Sequence, residues 1–201
     1  MSGHYVIRYT PTEEQKVEAL GSIFYEIQQL CYAAQLDHNA QPVKNALLES
    51  ALVHVRVLID FFEKRKRSTF KADGRPTEND DVLAADYGFP ATPLNIAQRY
   101  RERLNKDLVH CSYSRNRRRL PEAKTWPVRD LALPLLERSI EFIDSLQEEV
   151  LKRVSMIPTT EWRQLRNDID ALVSSGMTSN SNQGMHPSAA KGAAAGDAPS
   201  R

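Results

Sequence analysis

Cysteine, glycine and long apolar runs are all scarce in this chain, and each scarcity excludes a class of protein. The two cysteines, Cys31 and Cys111, stand far apart with no spacing typical of a metal or redox site, so we expect reduced cytoplasmic thiols. No apolar stretch approaches the roughly 18 residues of a membrane span, and the N-terminus lacks an apolar run of signal-peptide length. Half of the eight glycines lie after residue 174, so the body is glycine-poor, as is typical of helical proteins.

An excess of one charge is also lacking. The net charge of +1 means that no global field draws the chain to nucleic acid or to a membrane. Charge is nevertheless uneven along the chain. Residues 99–119 carry eight Arg or Lys against Glu102 and Asp107, and residues 73–86 carry five acids against Arg75. Because no His-x3-His or carboxylate-x2-His pair forms a clear ligand set, we expect neither a metal nor a cofactor.

Helical periodicity dominates the chain, and no strand-like alternation competes with it. Thr10-Pro11-Thr12-Glu13 is expected to cap the first helix, and Thr92-Pro93 to open the third. The second helix is expected over about residues 42–66 and the fourth over about 127–154, with Pro134 either kinking the fourth helix or marking its true start. The sequence therefore predicts an all-α fold, an antiparallel bundle of four to five helices.

Composition divides the chain into four segments. We expect an N-terminal arm over residues 1–9, a helical bundle domain over 10–157 and a short accessory helix over 158–173 that docks weakly or not at all. Residues 174–201 are rich in Ser, Gly, Ala, Pro and Asn, so we expect a disordered tail. Residues 68–91 form a long loop inside the bundle, and loops of this length are usually functional or mobile.

One charged stripe is the most informative feature. On a helix, Arg99, Arg103, Lys106, Asp107 and His110 share a face at spacings of three and four residues. Such a set suits a phosphodiester or nucleotide site, where His110 exchanges a proton near neutral pH, Arg103 holds a phosphate and Lys106 stabilises developing charge. The alternative is a histidine packed at a helix interface beside a solvated charged face.

A cluster of arginines follows the stripe. Together with Arg99, these residues are candidates for contacts with RNA phosphates, with tyrosines nearby to stack bases. The alternative is a helix C-terminus supplied with cations, followed by a solvated turn. The cluster comprises Arg115, Arg117, Arg118 and Arg119.

His54 lies at the edge of the apolar seam of the second helix, where a polar side chain needs a partner. We expect that partner to be a Tyr, an Asp or His110 on the third helix, and we expect Arg56 to pair with Asp60. If the second and third helices are antiparallel neighbours, His54 is expected to lie, along the helix axis, nearer to Arg101 to Arg103 than to His110. His54, Arg56 and Asp60 are therefore interpreted as structural polar residues.

Two segments, residues 51–62 and 103–110, resemble the HEPN superfamily, whose mark is an Arg and a His separated by four to six residues near the end of a core helix. Arg103 and His110 match its widest form. The chain is also similar, over roughly residues 10–155, to uncharacterised bacterial proteins with an Asp-Asp-Val-Leu-Ala loop and an Asn-Lys…His-x-Ser-Tyr-x-Arg segment.

The resemblance implies a helical bundle, often dimeric, and two kinds of function. Many HEPN proteins are metal-independent endoribonucleases of bacterial defence or toxin systems, which here implies His110 and Arg103 as catalytic residues. The charged stripe adds Lys106 as the residue that stabilises developing charge. Others have lost catalysis and bind RNA, nucleotides or proteins. We therefore expect an RNA or nucleotide ligand and a homodimer, the alternative being a non-catalytic protein-interaction module.

Overall fold

The described part of a computed structural model covers residues 9–36, 39–69, 79–108, 126–154 and 156–175, and its regular elements are all helical. The predicted all-α class is confirmed. No helix within these ranges is long and apolar enough to cross a bilayer. The predicted tail lies outside them from residue 176 onward. The helices are α1 (Glu13–Gln35), α2 (Gln41–Glu63), α3 (Gln98–Asp107), α4 (Val128–Ser145), α5 (Glu148–Arg153) and α6 (Thr159–Ser174), with a 3-10 helix over Ala84–Tyr87.

Successive long helices run in alternating directions around one core. The beginning of α1 and the end of α2 meet at one end of the bundle, where Tyr87 from the following loop donates a hydrogen bond to the carbonyl of Lys16 at 2.8 Å. The end of α4 arrives at the same place, because Phe142 packs edge-on against Phe61 with ring centroids 5.1 Å apart. The bundle is therefore antiparallel, as predicted.

The start of α1 is set by a reciprocal capping box two residues later than predicted. Thr12 is the N-cap: its hydroxyl accepts from the backbone of Gln15 at 3.2 Å, and the Gln15 side chain accepts from the backbone of Thr12 at 2.9 Å. The expected box from Thr10 to Glu13 is wrong, because Thr12 is the N-cap and the helix begins only at Glu13.

The predicted fourth helix is two helices. α4 ends at Ser145 and α5 begins at Glu148, so the expected single helix over 127–154 is wrong. At the break, the backbone of Leu146 turns back to the carbonyl of Ile143, and the Ser145 hydroxyl donates to the carbonyl of Phe142 at 2.6 Å. Pro134 neither starts nor ends α4 but lies inside it.

The last helix, α6, is part of the core. The apolar residues Trp162, Leu165 and Ile169, which the helical period places on one face, are all buried. Trp162 packs edge-on against Phe24 of α1, with ring centroids 4.9 Å apart, and α6 also packs along α4. The expectation of weak docking is wrong, because this face closes the side of α1 and α4 that the other helices leave open.

The described part of the long loop, residues 79–91, is also a core element. Leu83, Ala84 and Phe89 are buried, and Phe89 packs against Phe142 at 5.4 Å. Gly88 has a φ of +74°, a conformation that favours glycine, and it ends the 3-10 helix so that Phe89 turns inward. Apolar packing therefore orders this stretch, and its acids stand at the edge of a structured segment.

We predict that Trp162→Ala lowers the free energy of unfolding by about 3–5 kcal/mol, because it removes a fully buried ring from the interface of α6 with α1. Urea denaturation followed by circular dichroism measures the change. Met156→Ala is the control, since Met156 is 89% exposed and its loss should change stability little. A cost below about 1 kcal/mol for Trp162→Ala would contradict the docking of α6.

Candidate functional site

The predicted site residues fall into two groups. His110 and the arginine cluster Arg115, Arg117, Arg118 and Arg119 lie outside the described residues. The others lie on α2 and α3, which also run in opposite directions. α3 begins at Gln98 rather than at the predicted Thr92-Pro93. The candidate site is therefore built from the face of α3, its neighbour Trp126 and the adjoining side of α2.

An ion pair fixes the position of α3 against α2. Arg101 donates to both carboxylate oxygens of Glu63, at 2.6 and 2.8 Å. The same guanidinium donates to the carbonyls of Leu94 and Ile96, and the backbone N–H of Leu94 donates to Glu63 at 2.5 Å. These bonds hold the segment before α3 in a non-helical conformation, which explains why the helix starts five residues after Pro93.

The outward side of α3 carries cations stacked on aromatic rings. The guanidinium of Arg103 lies over Trp126, 3.9 Å from the ring centroid, and 5.9 Å from the centroid of Tyr100. Arg99 lies over Tyr100 at 4.8 Å. Arg99 and Lys106 are exposed, whereas Tyr100, Arg103 and Trp126 are partly buried. We name these five residues the cation–aromatic face.

Sequence reasoning placed only part of this face. The apolar period of the third helix predicts Tyr100 in its core seam, yet Tyr100 is partly exposed and lies under Arg99. Ala97, also expected in that seam, is exposed. Trp126 was not predicted as a site residue, although a tryptophan directly before helix-opening Pro127 was an available signal.

In a non-catalytic module, the α3 stripe is expected to pair with acids such as Asp60 or those of residues 73–86, but three of these acids have other partners. Asp60 and Asp81 both accept hydrogen bonds from Lys64, at 3.0 and 3.1 Å. Asp86 accepts two hydrogen bonds from Arg67, at 3.0 and 2.5 Å. The cations at the end of α2, rather than those of α3, therefore hold these three acids. This arrangement disfavours the interpretation of the stripe as a set of pairs with Asp60 and the acidic loop.

His54 is bonded to α1 and not to the third helix as predicted. Its Nδ1 lies 2.6 Å from a carboxylate oxygen of Glu26, and the imidazole packs edge-on against Tyr25 at 5.8 Å. His54 is 7% exposed. Glu26 is a missed partner, because a contact between residues 28 positions apart has no local sequence signal.

Arg56 also has a different partner from the one expected. It donates to Asn105 on α3 at 3.1 Å, whereas Asp60 is paired with Lys64. Because α2 and α3 are antiparallel and Arg56 lies opposite Asn105, His54 lies, along the helix axis, beyond Asn105 toward the C-terminal end of α3. The prediction that His54 lies nearer to Arg101 to Arg103 than to His110 involves a residue outside the described ranges.

Other catalytic chemistries find little support in the described ranges. Cys31 is buried, and burial raises the pKa of its thiol, so it is a poor candidate for a nucleophile. No group of three His, Cys, Asp or Glu side chains that could hold a metal ion occurs among the described residues. The arrangement that remains is a surface of cations and aromatic rings with a histidine–carboxylate pair on the neighbouring helices.

Comparison of the chain with protein-family models, with curated proteins and with solved structures finds no match.

We predict that His54→Ala lowers the free energy of unfolding by about 1–3 kcal/mol, because it leaves the partly buried Glu26 carboxylate without its partner. Glu26→Ala and the double variant complete a mutant cycle followed by urea denaturation. The two losses should be non-additive, with a coupling of about 0.5–3 kcal/mol. Additive losses would show that the contact does not contribute to stability.

Proposed function

We propose that this protein binds single-stranded RNA through the cation–aromatic face of α3. The observation that carries the proposal is the stacking of Arg103 on Trp126, beside Tyr100 and Arg99. A guanidinium held against a ring is oriented before any ligand arrives, so little side-chain entropy is lost when it binds a phosphate. Exposed Arg99 and Lys106 extend the positive charge along the same helix face.

Single-stranded RNA matches this chemistry better than a folded duplex does. Its backbone presents phosphates to arginine and lysine, and its unpaired bases can stack on aromatic side chains or on guanidinium planes. The face offers both kinds of contact within one helix and its neighbour. The net charge of +1 implies that binding depends on this local cluster rather than on the field of the whole protein.

Cleavage of the bound RNA is the second part of the proposal, and it rests on the resemblance to the HEPN superfamily. His110 would act as general base or acid in attack by a ribose 2′-hydroxyl, and Arg103, helped by Lys106, would hold the phosphate. The protons move between the hydroxyl, His110 and the leaving oxygen, so no metal is required. The resemblance also supports a homodimer as the active form, and the two widely separated cysteines favour the cytoplasm.

We predict that Arg99→Gln/Lys106→Gln weakens the binding of a single-stranded RNA oligonucleotide roughly tenfold or more at low salt. Both side chains are exposed, so the fold should be unaffected. The slope of log affinity against log salt should fall by about 1.4, since each lost phosphate contact on a single strand removes about 0.7. Fluorescence anisotropy at several salt concentrations measures both quantities.

The control is Lys152→Gln/Arg153→Gln, which removes two exposed cations from α5. Its RNA affinity and salt slope should match those of the wild type. An equal loss in the control would show that only overall charge matters. An undiminished slope in the α3 variant would contradict the proposed surface.

Incubation with RNA in the presence of a chelator tests the cleavage step. Loss of cleavage in His110→Ala, with RNA binding retained, supports the enzyme. Equal cleavage by this variant would indicate contamination or another site. RNA binding without cleavage by the wild type would reject the enzyme and leave a binding module. Absence of RNA binding would favour the protein-interaction module.

A further inference from the structure

A second cationic site lies just beyond the end of α2, where residues 65–69 pass beside the segment leading into α1. A cavity of about 320 Å³ opens there between Tyr9, the run Arg65-Lys66-Arg67, Thr69 and Asn79. That volume is at the lower end of the range for small-molecule sites. Neither the cation–aromatic face nor its proposed RNA ligand involves these residues.

Among the described residues that line this cavity, the only acid is Asp86, and it is already neutralised. The Asp86 carboxylate accepts hydrogen bonds from both terminal nitrogens of Arg67. It also accepts one from the backbone N–H of Leu83 at 2.9 Å. Arg65 and Lys66 are exposed, and no carboxylate within the described residues pairs with either of them. Two cations are therefore left to face a ligand.

Other polar groups at the cavity include hydrogen-bond donors. The Nε of Arg67, behind the wall, is buried and has no hydrogen-bond partner among the described residues. The amide oxygen of Asn79 accepts from the backbone of Asp81 at 2.9 Å, which leaves its NH2 group as a donor. The hydroxyl of Thr69 adds another donor at the wall.

Tyr9 and Arg67 shape the other side of the cavity. The guanidinium of Arg67 lies 5.4 Å from the ring centroid of Tyr9, and its bidentate pair with Asp86 fixes its plane. Buried Leu83 provides an apolar part of the wall. The cavity thus combines a donor-rich, cationic end with an aromatic and an aliphatic surface.

We propose that this cavity binds a phosphate group, carried as a monoester on a small organic molecule. A phosphate dianion supplies several acceptor oxygens and two negative charges, which match the donors and the two uncompensated cations. The aromatic and aliphatic walls accommodate the organic part. The proposal is independent of RNA binding at α3, because no residue is shared between the two sites.

Isothermal titration calorimetry of the full-length protein at low salt tests this site, with AMP, inorganic phosphate and adenosine as probes. We predict that AMP and inorganic phosphate bind saturably with one site per chain, whereas adenosine does not bind. Tighter binding of AMP would identify a phosphate monoester as the ligand class, and equal binding would identify free phosphate. Absence of saturable binding for both phosphate probes, or adenosine binding as tight as that of AMP, would overturn the proposal.

Paired double variants separate the site from general charge effects. Arg65→Gln/Lys66→Gln should weaken phosphate binding roughly tenfold or more and abolish the rise in melting temperature that saturating phosphate gives the wild type. It should leave RNA affinity unchanged. Arg99→Gln/Lys106→Gln removes the same charge at α3 and should leave phosphate binding within about twofold of the wild type. Equal weakening by both variants would overturn the assignment.

Discussion

The pair between Glu63 and Arg101 is the interaction on which the candidate site depends. It joins the end of α2 to α3 across 38 residues, with both side chains about one-fifth exposed. The Glu63 carboxylate also accepts a hydrogen bond from the backbone N–H of Leu94. The Arg101 guanidinium also donates to the carbonyls of Leu94 and Ile96. Five hydrogen bonds thus converge on two side chains, so the loss of either partner would leave several polar groups unsatisfied.

This pair also determines which cations of α3 are available to a ligand. Arg101 is turned toward α2, whereas Arg99 and Lys106 are exposed and Arg103 lies over Trp126. At the end of α2, Lys64 and Arg67 are held by acids while Arg65 and Lys66 are exposed. In both places, some cations of a basic run stabilise the fold and their neighbours carry the proposed binding function. The net charge of the chain reveals neither site, because acids offset most of the positive charge of the basic runs.

The sequence predicted the apolar seams well, because a 3.6-residue period is a local property of each helix. The apolar period predicts a buried seam that contains Leu20, Phe24 and Ile27 in α1 and Leu52 and Val55 in α2, and all five are buried. Helix boundaries were predicted less well where tertiary bonds decide them. Bonds from Glu63 and Arg101 delay the start of α3, and the break after Ser145 lets α5 and α6 fold back.

Only the charged residues of the candidate site could be predicted from the sequence. The spacing of Arg99, Arg103 and Lys106 identified the face, but the tryptophan under Arg103 comes from a position 23 residues away. The bond from His54 to Glu26 and the bond from Arg56 to Asn105 likewise join different helices. Sequence spacing gives the neighbours along one helix, whereas these contacts depend on the order and register of the bundle.

Ultraviolet crosslinking of the full-length protein to single-stranded RNA, followed by peptide mass spectrometry, tests whether the cation–aromatic face binds RNA. Aromatic side chains that stack on bases are favourable positions for crosslinking. We expect crosslinks at Tyr100 and Trp126, which flank Arg103, and none at the buried Trp162. Crosslinks confined to peptides outside α3 and Trp126, or no crosslinks at RNA concentrations that saturate binding, would contradict RNA binding by this face.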